Sequence, residues 1–272
     1  MHLKVKDIHR IIEKYAPEKL KEDYDNVGLM VGDMESEVTS ILVSLDCTLD
    51  VIKEAEDKNC NLIFTHHPLL FSRPKSITTD TLIGKKIIRL IKNGINVYSS
   101  HTNLDSAPGG MNDIIMDILG LYNASIIEPK SNMDSYFNSN SGIGRFVELE
   151  GNVTLGDICR KVKEKLALSH VRYTGNDTAV IRKIAVINGS GKDYFQEAKR
   201  LGCDCIITGD TTYHYVSDFN EEGVAVIDAG HFGTEWPSMA KISDFLQEKI
   251  EKMGFENRVI LSKCNKDPYK YK

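Results

Sequence analysis

Residues 41–65 can be laid on residues 184–208 without a gap, and about a third of the paired positions are identical. Ile41, Val43, Asp50, Glu54, Ala55, Cys60, Ile63 and Thr65 recur as Ile184, Val186, Asp193, Glu197, Ala198, Cys203, Ile206 and Thr208. Each copy reads as an apolar run, an amphipathic stretch and a second apolar run. The match continues in order. Gly94-Ile95-Asn96-Val97-Tyr98-Ser99-Ser100-His101 pairs with 223–231, one residue longer. Two consecutive matches favour an internal duplication over recycled composition. A chain that writes strand–helix–strand twice is committed to an α/β fold with mostly parallel strands.

The rest of the pattern fits that frame. Val5, Ile8, Ile11, Ile12 and Tyr15 predict a first amphipathic helix over 5–16. Strands are expected near 41–45, 62–65 and 95–99, with helices over 49–57 and 82–93, the latter ended by Gly94. The run 131–142 is polar and reads as a loop at a domain boundary. A strand near 144–149, a helix over 155–166 and a strand near 170–173 follow it. The expected division is a first α/β lobe over 1–126 and a second over 127–272, with room for the C-terminal part to pack back on the first.

Bulk properties narrow the class. The chain has 272 residues, 41% hydrophobic and 27% charged, which suits a soluble protein with a real core. A net charge of −5 argues against a general nucleic-acid-binding face and leaves a local basic patch open. No apolar run is long enough for a membrane span, and the N-terminus lacks a signal-peptide core, so a cytoplasmic location is expected. Six cysteines are scattered with no Cys-x-x-Cys pair and read as reduced and structural. Strand alternation in Cys203-Asp204-Cys205 puts both thiols on one face.

The histidines carry the chemistry. Ile63-Phe64-Thr65-His66-His67-Pro68 ends an apolar strand in two imidazoles. Each repeat then closes on the same signature, His101-Thr102-Asn103-Leu104-Asp105 and His231-Phe232-Gly233-Thr234-Glu235. The carboxyl ends of parallel strands are where α/β sheets place ligands. One histidine at a strand end is usually a capped or solvated residue. Two matching His-x-x-x-carboxylate pairs beside a His-His are another matter. If the halves face each other, His66, His67, His101, Asp105, His231 and Glu235 suit two divalent metal ions, with Asp105 and Glu235 as bridges. Zn, Fe, Mn and Ni are not distinguished by such ligands. Loop chemistry after Asp105, Ser106-Ala107-Pro108-Gly109-Gly110, argues against a helix for the first pair. The segment from Thr208 to His214 occupies the place of Thr65-His66-His67 in the second copy, and its Asp210 and His214 are acid–base candidates. Asp25 and Asn26 are candidates to face the site, and Gly109-Gly110 opens a helix over 111–119 that could receive an anion.

Tyr24-Asp25-Asn26-Val27-Gly28-Leu29, Thr65-His66-His67-Pro68, His101-Thr102-Asn103-Leu104-Asp105, Gly142-Ile143-Gly144-Arg145, Thr208-Gly209-Asp210 and Gly230-His231-Phe232-Gly233-Thr234-Glu235 resemble the Ngg-one-interacting-factor-three-like family. That family is also labelled GTP cyclohydrolase I type 2 homologue. The resemblance covers nearly the whole chain. It implies two α/β lobes with a dinuclear metal site in the cleft, the same six ligands, and a homohexameric ring built as a trimer of dimers. It implies the short form without an inserted domain. The label implies hydrolytic opening of the imidazole ring of GTP or a related nucleotide by metal-activated water. The residues also permit a metal-dependent phosphoesterase acting on nucleotides or nucleic-acid ends, or a non-catalytic metal-binding regulator or chaperone ring.

Overall fold

A computed structural model describes residues 2–130 and 140–272. Most of the loop expected over 131–142 lies outside the described residues. The chain forms two compact units, Met1–Leu104 with Met239–Lys272, and Asp105–Ser238.

The first unit holds a five-stranded sheet in the order β1-β4-β3-β2-β11, where β1 is Gly28–Val31, β2 Ser40–Ser44, β3 Leu62–Thr65, β4 Asn96–Ser99 and β11 Arg258–Leu261. β2, β3, β4 and β11 run parallel, and β1 pairs antiparallel to β4. Helix α1 (Val5–Tyr15) buries Val5, Ile8 and Ile12 at helical spacing. Helices α2 (Leu49–Asp57) and α3 (Leu82–Lys92) connect the parallel strands. Their first turns are closed by Thr48, which accepts from the Val51 amide, and by Thr81, which accepts from the Gly84 amide. Gly94, at φ 62, ends the α3 segment as expected.

The second unit holds a six-stranded mixed sheet, β5-β6-β8-β9-β10-β7. Its strands are β5 Ser125–Pro129, β6 Gly142–Thr154, β7 Arg172–Tyr173, β8 Val180–Ser190, β9 Cys205–Gly209 and β10 Ala225–Asp228. β8, β9 and β10 are parallel, and the outer pairings are antiparallel. Among the described residues, the remaining helices are α4 (Thr102–Ser106), α5 (Met111–Leu119), α6 (Leu155–Lys165), α7 (Phe195–Arg200), α8 (Tyr213–Glu221) and α9 (His231–Lys252). The duplicated strand–helix–strand units of the sequence are therefore β2–α2–β3 and β8–α7–β9.

The expected division after residue 126 is redrawn at both ends. Helix α5 packs Ile115, Met116 and Leu119 into one core with Leu155, Val186 and Ile207, and β5 pairs with β6, so 105–126 belong with the second sheet. Strand β11 pairs with β2, and Phe245 stacks on Tyr15 at 4.2 Å, so 239–272 belong with the first. The C-terminal part does return to the first unit.

All six cysteines are free thiols; five are buried, and Cys264 is exposed. Burial pushes the Cys47 and Cys203 thiols up to about 12. Cys203 and Cys205 do not share a face. Cys203 lies in the turn before β9 and packs with Phe195 and Ile206, whereas Cys205 opens the strand and packs with Val186 and Ile207. Alternation holds only within a strand, and β9 starts at Cys205.

Candidate metal centre

In the first unit the carboxyl ends of β2, β3 and β4 deliver the side chains. β3 stops at Thr65, and the chain bends while the His66 and His67 amides still bond to Ser44 and Leu45 carbonyls across from β2, at 3.3 and 2.9 Å. The Thr65 hydroxyl donates to the His67 carbonyl at 2.9 Å, which tightens the bend before Pro68. This breaks strand alternation, so consecutive histidines turn their rings to the same place, 5.2 Å apart between centroids. His101, just past β4, brings a third ring to 5.0 Å from His66 and 5.6 Å from His67. One ring nitrogen from each of the three lies within 4.8 Å of the others.

Each imidazole is held by its Nδ1. His66 Nδ1 donates to the Ser100 carbonyl at 2.9 Å, His67 Nδ1 to Asp46 at 3.0 Å and His101 Nδ1 to Asp25 at 2.9 Å. Carbonyl and carboxylate oxygens only accept, so Nδ1 carries the proton and Nε2 is the ligand atom. Asp25 is buried. Burial by itself would raise its carboxyl, but the hydrogen bond and charge of His101 and the Thr102 hydroxyl and amide outweigh that and hold it well below the usual carboxylate range.

Asp25 also accounts for a short helix where the sequence reads as loop. The His101-x-x-x-Asp105 pair is helical, because Thr102–Ser106 forms α4. The Asp25 carboxylate accepts from the Thr102 amide at 3.0 Å and its hydroxyl at 2.5 Å, and Asn103 Oδ1 accepts from the His101 amide at 2.9 Å. These acceptors close a one-turn helix that ends before Pro108, and four-residue spacing on a helix puts both side chains on one face. Asp105 is half-buried, with its backbone carbonyl accepting from Asn112 Nδ2 at 3.1 Å.

The second unit repeats the device. His231 and Glu235 lie one turn apart at the start of α9, with His231 Nε2 3.1 Å from Glu235 Oε2. His231 Nδ1 donates to Asp210 at 2.7 Å. With that proton on Nδ1, a neutral ring aims its Nε2 lone pair at a carboxylate oxygen. Two lone pairs at this distance repel unless a cation joins them, either a second ring proton or a metal ion. Metal–ligand bonds of about 2.0–2.2 Å separate adjacent donors by roughly 3–3.5 Å. The donor chemistry and spacing of this pair therefore fit a divalent ion. Gly189 makes the room: a Cβ there would fall 2.2 Å from Glu235 Oε1.

The other expected residues separate. Asp210 sits at the end of β9 as the partner of His231. His214 is exposed on α8, and its ring meets Tyr213 edge-on at 5.3 Å. Asn26 spends its amide on the Leu70 carbonyl at 2.8 Å. Asp46 was not expected; the position of His67's partner just past a parallel strand was the available signal.

Imidazoles anchored through Nδ1 by protein oxygens, at the carboxyl ends of parallel strands, define the class of this two-unit α/β protein. The chain belongs to the Duf34/NIF3 (NGG1p interacting factor 3) family, whose model matches residues 3–268. It is 56% identical over 272 residues to a Clostridium acetobutylicum protein named GTP cyclohydrolase 1 type 2 homolog, with all of both chains covered. A Listeria innocua protein of the same name is 26% identical over 362 aligned positions, covering 96% of this chain and 97% of its own. That alignment is longer than this chain, so the relative carries residues with no counterpart here, consistent with the short form. A crystal structure of a Staphylococcus aureus hypothetical protein superposes with a TM-score of 0.91 at 32% identity, covering all of both chains. Among the described residues, no helix is long and apolar enough to cross a membrane.

Proposed function

We propose that the protein is a metal-dependent hydrolase that binds a pair of divalent ions through His66, His67, His101, Asp105, His231 and Glu235. The observation that carries this reading is the fixing of all four histidines through Nδ1, by Ser100 O, Asp46, Asp25 and Asp210. Protein oxygens behind each imidazole set the tautomer and raise the basicity of the ligand nitrogen, which a merely solvated histidine does not need. Divalent ions held there would make water nucleophilic near neutral pH and polarise a substrate oxygen. The chain's own part is to present Nε2 atoms and carboxylates, to keep Asp25 ionised behind His101, and to keep Asp210 behind His231 as a positioning residue.

GTP or a related nucleotide is the substrate class to test first, in line with the name carried by the Clostridium acetobutylicum relative. Protein loaded with zinc, manganese or iron is incubated with GTP. Formate and a fluorescent pterin-type product are the expected outcome. Release of phosphate or nucleoside monophosphate instead identifies a phosphoesterase. Tight, reversible metal exchange with no turnover identifies a metal-binding regulator and overturns the hydrolase reading.

A further inference from the structure

Two exposed aromatic rings adjoin the histidine cluster of the first unit. Phe71 is 53% exposed and Tyr24 65% exposed. The Phe71 ring meets His101 edge-on, with centroids 6.4 Å apart, and Tyr24 lies 6.3 Å from Phe71. Leaving such rings in water forgoes their burial, so a pair beside a polar site calls for an explanation. Looseness is not one. Leu69 and Leu70 pack against the first unit's core, and Asn26 Nδ2 holds the Leu70 carbonyl at 2.8 Å. Tyr24 directly precedes Asp25, which is fixed to His101 and Thr102. Both rings are therefore presented by pinned segments, with Phe71 against His101 and Tyr24 against Phe71.

We propose that Phe71 and Tyr24 form a stacking platform for the planar heteroaromatic ring of the substrate, a purine. The inference deepens the hydrolase reading and rests on it for the chemistry performed beside the platform. A phosphoryl group gains nothing from an aromatic ring, whereas a conjugated base gains apolar contact and quadrupole complementarity from any ring it stacks on. The platform thus assigns the base, rather than the phosphates, to the ground beside His101, and favours attack on the ring over attack on a phosphoester.

The test compares two probes that share a phosphosugar and differ in the base, guanosine monophosphate and ribose 5-phosphate. Each is titrated calorimetrically into the zinc-loaded full chain. The wild type is expected to bind guanosine monophosphate at least ~10-fold tighter, in keeping with one stacked base. Phe71→Leu keeps an apolar side chain but removes the π face, and is expected to weaken guanosine monophosphate about 5- to 100-fold. Ribose 5-phosphate affinity and zinc content stay unchanged, and Phe71→Trp retains binding. Equal wild-type affinities for the two probes, or unchanged guanosine monophosphate binding in Phe71→Leu, overturns the platform. So does a variant that alters only the sedimentation coefficient, which would mean that a second copy covers the rings. Zinc content separates the two ideas: failure to bind zinc sinks the metal reading, while the difference between the probes still reports on the platform.

Discussion

The two units carry the same three parallel strands in the same register, yet they arm them differently. Ile41 pairs with Leu62 and Val43 with Phe64 in the first, as Ile184 pairs with Cys205 and Val186 with Ile207 in the second. The third strand follows suit, Leu62 against Asn96 and Cys205 against Ala225, and each third strand takes an antiparallel neighbour, β1 or β7. Past the strand ends, the positions of Asp46, His66 and His67 in the first copy of the repeat are taken by Gly189, Gly209 and Asp210 in the second. The carboxylate–imidazole pair survives with its order exchanged. In the first unit a carboxylate past the first strand holds a histidine past the second; in the second unit a carboxylate past the second strand holds a histidine past the third. The scaffold determines where donors can stand, and the residue type at each place decides whether it ligates, orients or makes room.

Gly189 is the sharpest place to break that contrast, because it stands where the first unit has Asp46. A Cβ at Gly189 would fall 2.2 Å from Glu235 Oε1 and 3.3 Å from His231 Cε1, with φ at 57. The carboxylate end of Glu235 can swing away, so Gly189→Ala is expected to displace it from His231 without unfolding the chain. The left-handed backbone adds a cost of about 1–2 kcal/mol. Metal titration should show affinity reduced by at least ~100-fold for the ion that depends on Glu235, beyond the ~10- to 100-fold typical of supporting residues. Unchanged metal content would show that Glu235 is not a ligand.

The orienting carboxylates should rank by burial. Asp25 is enclosed and serves His101, the Asn26 amide and both polar groups of Thr102, whereas Asp46 is exposed where it holds His67. Asp25→Asn is expected to lower metal affinity ~10- to 100-fold and to loosen α4 as well, since an amide cannot accept all four bonds with full charge. Asp46→Asn should cost less than Asp25→Asn in the same titration. Equal losses would mean that orientation of the rings, and not burial of the partner, sets the effect.

The parts of this arrangement that sequence made legible are those encoded locally. Strand–helix alternation and the repeat follow from apolar periodicity and near-identity at matched positions. Of the six candidate ligands, His101, Asp105, His231 and Glu235 are legible as candidates from the recurrence of one pattern after a strand, and His66 and His67 from their place at a strand end. What escaped depends on distant partners. The one-turn helix α4 has no periodicity of its own and is closed by Asp25, far away in the chain, so Pro108-Gly109-Gly110 made the segment read as loop. The hydrogen bond between Asp210 and His231 escaped because the two residues follow different strands. The unit boundary escaped because α5 and β5 are assigned by packing on the second sheet, which nothing in residues 105–126 alone announces.

The smallest predicted contrast uses one residue that the repeat kept. Glu54 and Glu197 occupy equivalent places on α2 and α7, but only Glu54 is covered by the C-terminal chain. Its carboxylate accepts from the Ser262 hydroxyl at 2.5 Å, from the Lys263 and Cys264 amides at 2.9 and 3.1 Å, and from Lys58 at 2.7 Å. Burial pushes its pKa up, yet Lys58, Ser262 and the two amides bring it down to about 2. A carboxyl depressed on folding stabilises the protein fully above its unfolded value, near 4.5, and that contribution fades as pH falls through about 2. Glu54→Gln is therefore expected to cost about 1–3 kcal/mol at pH 7 and to flatten the loss of stability between pH 4.5 and 2. Glu197 bonds only its neighbour Arg200 among its described contacts, so Glu197→Gln should leave the thermal midpoint where it was. Thermal unfolding of both variants across that pH range checks the contrast. Equal shifts would mean that the C-terminal strand is held by β11–β2 pairing alone, and that Glu54 is as superficial as its counterpart.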